Sequence, residues 1–226
     1  MTLIRRTLRK LLHIRLSPIH VYCLHHVTDV FDEGSMHRGD WISSSDFKQK
    51  ITALRGGGVH FISLTEAYSH LCRDKVRMTK YAVLTFDDGY ASLKEILPWL
   101  NEQAIPYVLF INGKYLDGVS YRKNPQERYL TTEELFQMNS PLVEIGSHGW
   151  EHLDALNMTP TQFKASVRRN QDILKPHPRF IPFFSYTYGH HTHEQDTILH
   201  SMSLIPLLVS GGKNYNYRIT IDRELL

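Results

Sequence analysis

Two short stretches of the chain hold side chains whose types and spacing suit chemistry. In YAVLTFDDGY, residues 81–90, Asp87 and Asp88 sit side by side directly after an apolar run. Two carboxylates at close range repel each other, so the pair implies either a solvated turn at Asp87-Asp88-Gly89 or a positive charge beside them. In SHGWEH, residues 147–152, His148 and His152 are four positions apart. That spacing projects both imidazoles to one side of a helical turn, a common way to hold a divalent ion. One carboxylate from another strand end completes a two-His-one-carboxylate set with positions left open for water. Asp88 is the natural donor. Asp87 is then left to take a proton from water activated by the ion, whose charge offsets the repulsion between the two acids.

These residues fall where an alternating α/β chain puts its strand ends. Strands are expected at 19–27, 59–64, 81–86, 106–111, 142–148, 180–186 and 218–225. YAVLTF and PYVLFI are the near-continuous apolar runs of a sheet buried on both faces. Helices are expected at 43–58 with a serine cap and a glycine stop, at 65–73, at 90–103 with a kink at Pro98, at 131–139, at 159–174 and at 193–202. Seven strands alternating with helices in ~200 residues point to a small or incomplete parallel barrel rather than a full eightfold one. Chemistry in such barrels gathers at the C-terminal strand ends. Two further ends carry histidines, His25-His26 after VYCL and His190, His191 and His193 after FFSY.

Bulk properties narrow the function class. Residues 1–28 carry Arg5, Arg6, Arg9, Lys10 and Arg15 without an acid, which leaves 21 basic against 23 acidic residues in the rest. The body of the protein therefore offers no reason to expect nucleic-acid binding. The basic N-terminal segment, residues 1–18, has too short an apolar run for a secretion signal; it is a terminal helix or arm, with peripheral contact to an anionic membrane as the sharper reading. Cys23 and Cys72, in apolar contexts without CxxC spacing, are expected to be buried, reduced thiols of a cytoplasmic protein.

The order of these motifs resembles the polysaccharide deacetylases, carbohydrate esterase family 4. TFDDGY and EIGSHGWEH are similar to that family's first two motifs, LHHVTD to its N-terminal histidine motif, FFSYTYGHH to its third motif, and YRITIDREL to the closing segment of short members. The resemblance implies one distorted, incomplete (β/α)7-type barrel over residues 19–226. It also implies hydrolysis of N-acetyl groups from an amino sugar of a glycan or glycan precursor, releasing acetate. Asp87 matches the general base; Asp88, His148 and His152 match the metal ligands, with zinc the expected ion. Tyr186, Tyr188 and His190 of the third motif, and Trp150 between the two histidine ligands, are the candidate substrate contacts.

Three departures from the family pattern bear on catalysis. Ser185 stands where many members have an arginine that orients the catalytic aspartate, and Thr187 stands in a proline slot. No histidine motif follows near the C-terminus, so His25 is the candidate acid for the leaving amine, with His190 second. Two rival functions follow from the same residues. One is a catalytically impaired, carbohydrate-binding relative on the same barrel; the other is a non-haem iron oxygenase, whose ligands usually come in a different order and spacing.

Overall fold

The computed structural model describes residues 17–30, 40–73, 77–117, 128–217 and 219–226. Most of the basic N-terminal segment, and with it the expected membrane contact, lies outside them. Seven parallel strands close into a ring: β1 (Ile19–Leu24), β5 (Lys80–Phe86), β6 (Tyr107–Ile111), β7 (Val143–Ser147), β8 (Phe180–Ser185), β9 (Ile205–Val209) and β11 (Ile221–Leu225). Each pairs with the next, and β1 closes the ring by pairing β5 along its whole length and β11 at Tyr22 and Cys23. Two strands stand beside the ring. β4 (Val59–Phe61) pairs the first residues of β5, and β10 (Lys213–Asn214) pairs antiparallel with the first residues of β1. A separate two-residue ladder joins β2 (His26–Val27) to β3 (Trp41–Ile42).

The number of ring strands agrees with the sequence expectation, but the membership differs. The strand expected at 59–64 is the short edge strand β4, while β9 was not expected at all. Pro206 in IPLLV breaks the usual signature of a central strand. Tertiary closure overrides that local signal.

Six α-helices accompany the ring among the described residues: α1 (Ser44–Gly56), α2 (Leu64–Arg73), α3 (Leu97–Glu102), α4 (Thr132–Gln137), α5 (Pro160–Leu174) and α6 (His193–Ser201). Ser43 caps α1 by accepting from Asp46 N, and Thr131, Thr159 and Thr192 each form a reciprocal capping box. The helix expected over 90–103 is two pieces, a 3-10 turn at Ala91–Glu95 and then α3, because Pro98 in the first turn of α3 starts a helix more readily than it continues one.

Alternation along most of the strands sends side chains into one of two clusters, and a third, with Phe163, Val167, Phe184 and Leu199, lies against α5 and α6. Val83, Val108, Phe110, Phe183, Leu207 and Ile221 pack together with Leu64, Ala67 and Leu71 of α2. That helix thus packs into the barrel's own apolar core, and Glu144 of β7 accepts from its first backbone N–H at 2.8 Å. Leu84, Phe86, Leu109, Ile111, Val143 and Ile145 belong to the other cluster, with Phe47 and Ile51 of α1. Each fully buried side chain of this size contributes about 1.5–3 kcal/mol relative to exposure. The inward positions change character toward the C-terminal strand ends, where Thr85, Ser185 and Arg223 follow Val83, Phe183 and Ile221 at the strand period of two.

Among the described residues no helix is long and apolar enough to cross a membrane. Cys23 is buried as expected, whereas Cys72 is exposed: it lies in the last turn of α2, one position beyond the buried Leu71.

Gly146 lets Phe110 fill the barrel beneath the polar layer, since a Cβ there would lie 2.4 Å from Phe110 Cε1. Gly146→Ala is expected to destabilise the fold by about 1–3 kcal/mol through overpacking, measured as a lower denaturation midpoint at unchanged m-value.

Candidate functional site

β5 delivers both aspartates, and its backbone separates them. Asp87 continues the strand, its N–H donating to Leu24 O at 2.9 Å, so its carboxylate follows Val83 and Thr85 into the barrel. Asp88 would face outward if the strand went on. Instead it adopts a left-handed conformation with φ 69°, tolerable for aspartate, and Gly89 follows at φ 80° with Ile111 Cδ1 only 2.8 Å from where a Cβ would be. The turn swings the second carboxylate back over the barrel mouth. A turn and a charged site, the two readings of Asp-Asp-Gly, are here the same feature.

β7 delivers the imidazoles. His148 follows the strand directly, with its N–H donating to Ile111 O at 3.0 Å. Its Nδ1 lies 2.8 Å from Ser185 O. A carbonyl only accepts, so Nδ1 carries the proton and Nε2 presents a lone pair to the cavity. His152 is not one helical turn further on, as the spacing suggested. Residues 148–154 form an irregular loop, with Gly149 at φ 82°, because the backbone polar groups there are bonded elsewhere. Asn112 Nδ2 donates to His148 O and Gly149 O, Ser166 Oγ accepts from Trp150 N, and Trp150 O accepts from Lys114 N. Asn170 of α5 ties the strand ends together, donating to Ile111 O and Ser147 Oγ and accepting from Gly113 N.

The three groups converge. Asp88 Oδ1 lies 3.4 Å from His148 Nε2 and 3.2 Å from His152 Nε2, and the donor atoms of the trio all lie within 4.8 Å of one another. Asp88 Oδ1 is buried and has no hydrogen-bond partner among the described residues. A buried carboxylate oxygen without a partner is costly, and the facing imidazole lone pair is no donor. A cation satisfies both at once. One carboxylate and two imidazoles, His148 already locked in the ligating tautomer, suit a zinc-type ion with open positions.

Asp87 has different company. Arg223 of β11, fully buried, donates through Nη1 to Oδ1 at 2.7 Å and through Nη2 to Oδ2 at 2.8 Å. The same guanidinium reaches Thr85 Oγ1 at 3.1 Å and Ser185 Oγ at 2.6 Å, and Ser185 Oγ donates to Asp87 Oδ2 at 3.2 Å. Burial opposes the charge, yet the Arg223 guanidinium keeps Asp87 ionised, far below its ordinary pKa. A second donor cluster, Cys23, His25 and Asp87, also meets the distance condition for an ion. Its chemistry is wrong for one. Both Asp87 oxygens are taken by Arg223, and burial pushes the Cys23 thiol up, so that it stays protonated with Sγ 3.7 Å from Asp87 Oδ2.

A cavity of about 340 Å³ opens over these groups. His25 lines it, with Nδ1 3.8 Å from Asp40 Oδ1. Tyr188 lines it as well, 62% exposed, φ 59°, with its ring edge-on to His152 at 4.9 Å. Tyr186 contributes to the wall but is buried, its hydroxyl donating to Asp196 at 3.0 Å, so its polar atom supports the wall instead of facing a ligand. Two expected substrate contacts do not line the cavity. The Trp150 ring sits against Gly113, under the Arg169 guanidinium at 3.9 Å, because its loop is pinned to α5 and the β6 end. His190 turns to Asp154 at 2.9 Å.

Arg223 is the functional candidate that motif reading missed. The signal was present: in ITIDREL it alternates with Ile221, which places a charge on the inward face of a strand.

The comparisons with known proteins agree with this geometry. The family model described as polysaccharide deacetylase matches residues 74–205, more than half of the chain. YxkH of Bacillus subtilis (strain 168), itself assigned to the polysaccharide deacetylases provisionally, is 24% identical over 134 residues, covering 59% of this chain and 45% of YxkH. The chain thus spans less than half the length of that relative. IcaB from Ammonifex degensii superposes with a TM-score of 0.75 at 22% identity, covering 93% of this chain and 94% of that one. The Streptococcus pyogenes deacetylase PplD, solved in complex with acetate, gives 0.77 at 17% identity, covering 93% and 92%. Those likenesses establish the barrel; the sequence match over residues 74–205, which spans Asp87, Asp88, His148 and His152, establishes the lineage. This chain belongs to the polysaccharide deacetylase family.

Proposed function

We propose that this chain is a metal-dependent carbohydrate N-deacetylase that hydrolyses the acetamide of an N-acetylated amino sugar to the free amine and acetate. The observation that carries the reading is the buried Asp88 oxygen, without a hydrogen bond among the described residues, facing two imidazoles, with a separately held carboxylate beside it. Membership of a family of deacetylases supports the same reaction. A sugar-binding relative without activity has no use for such a trio. The missing motif arginine, which favoured that rival, is offset by Arg223.

Asp88, His148 and His152 would hold the ion, zinc by ligand type. When bound, it supplies Lewis acidity toward the acetyl carbonyl and acidifies water, which matters because an arginine-held carboxylate is a weak base toward ordinary water. Asp87 accepts the proton of the attacking water. Arg223 and Ser185 keep its carboxylate at one angle, so little reorganisation accompanies the transfer. His25, on the cavity wall, donates a proton to the departing amine, whose bond to the acetyl carbon then breaks. Tyr188 offers an exposed ring on which the apolar face of a sugar can stack. A cavity of about 340 Å³ fits a sugar ring and its acetamide. The substrate class is an N-acetylated glycan or glycan precursor.

Acetate release from a panel of N-acetylated oligosaccharides, with and without chelator, tests the reading. Chelation is expected to abolish turnover and added Zn2+ to restore it; activity that survives complete metal removal sinks the proposal, and iron-dependent oxygen uptake in place of acetate release indicates the oxygenase chemistry. Asp87→Asn should lower kcat by about 10²–10⁴-fold with bound metal retained by elemental analysis. His148→Ala should lose the metal as well as activity. Tyr188→Ala should raise KM by roughly tenfold or less while kcat changes little, read from initial rates, if the ring contributes stacking alone.

A further inference from the structure

The two neighbouring aspartates are chemically identical, and distance barely tells them apart. Asp88 Oδ1 lies 3.4 Å from His148 Nε2, and Asp87 Oδ2 lies 3.8 Å from the same nitrogen. Both carboxylates are buried, and either could face a cation at this place. Their other partners differ. Asp88 Oδ1 has none among the described residues, whereas Asp87 is gripped on both oxygens by Arg223 and on Oδ2 by Ser185 as well. A bidentate guanidinium fixes both the direction and the plane of a carboxylate. The clamp is itself immobile, because Thr85 and Ser185 hold the guanidinium and the Phe110 ring lies 5.5 Å from it, with no part of Arg223 exposed.

We propose that Arg223 divides the labour between the two aspartates: by clamping Asp87 it keeps that carboxylate out of the ion's coordination shell, so Asp88 alone joins His148 and His152. Arg223 is thus a positioning residue that acts through Asp87. Without it, a buried carboxylate with no counter-charge stands a few ångströms from a site for a divalent cation, and a side-chain rotation brings it in as a further ligand. Asp87 is then lost as a proton acceptor. The device comes from the strand that closes the barrel, beyond the matched residues 74–205. The consequence for turnover rests on the deacetylase reading; the consequence for the ion does not.

The test titrates metal-stripped protein with Zn2+ and with Co2+, reading affinity and the visible Co2+ absorption, for wild type, Arg223→Met, Asp87→Asn and the double variant. Arg223→Met is expected to bind Zn2+ about tenfold more tightly and to show weaker Co2+ bands as an added oxygen raises the coordination number. In the double variant an amide replaces the freed carboxylate, and affinity and spectrum should return to those of Asp87→Asn, the signature of direct coupling. Acetate release by Arg223→Met should fall about 100-fold in kcat with KM within about twofold, and Arg223→Lys should recover part of the loss. An unchanged affinity and Co2+ spectrum in Arg223→Met overturns the proposal, as does a gain that persists in the double variant. Should Arg223→Met fail to fold, Arg223→Gln carries the metal measurement: a spectral shift removed by adding Asp87→Asn supports the proposal, and a wild-type spectrum overturns it. A wild type that releases no acetate yet shows the metal coupling removes the deacetylase reading and leaves this one standing.

Discussion

Asp87 and Arg223 meet through two short hydrogen bonds, both side chains buried, and the rest of the site is arranged around that pair. Burying both charges carries a desolvation cost of several kcal/mol per ion, which their mutual attraction and added hydrogen bonds must offset. Thr85 and Ser185 complete the set, so four strands of the ring, β1 through Cys23, β5, β8 and β11, meet at one carboxylate. Barrel closure and catalytic geometry are therefore the same interaction. A strand that left the ring would leave a charge unpaired in the interior, a loss of about 3–5 kcal/mol in typical buried pairs.

That arrangement depends on the apolar layers beneath it. Phe110 carries the guanidinium on its ring, and it occupies the barrel axis because Gly146 leaves it room. α2 packs into the apolar interior, with Glu144 on its N-terminus. Above, the chain turns polar, and left-handed backbone at Asp88 and Tyr188 brings two side chains over the mouth that regular structure would turn away. Strain collects where side chains must converge. Asp87 and His148 thus follow directly on strand ends, while Asp88, His152 and Tyr188 sit on turns and loops.

The arginine held by the last strand also accounts for how Ser185 fits a working site. A small hydroxyl at this position leaves space for a guanidinium arriving from β11, and it accepts one of that group's hydrogen bonds. The same charge reaches the same carboxylate by a different route through the fold. Motif-by-motif reading treats the serine as a loss, because it sees one strand at a time.

The sequence alone determined what local chemistry and periodicity can specify. The apolar runs set the parallel strands, threonine and serine caps set most helix starts, and Asp-Asp-Gly with a histidine pair set the candidate ligands. Tertiary structure decided the rest, because those features depend on residues far apart in the chain. β9 is a strand through its neighbours and despite Pro206; His152 meets Asp88 by a loop pinned to α5 and not by helical spacing; Trp150 is drawn under Arg169 and away from the cavity. Above all, an arginine 136 residues from Asp87 becomes its partner only when the ring closes, a contact that no local pattern encodes.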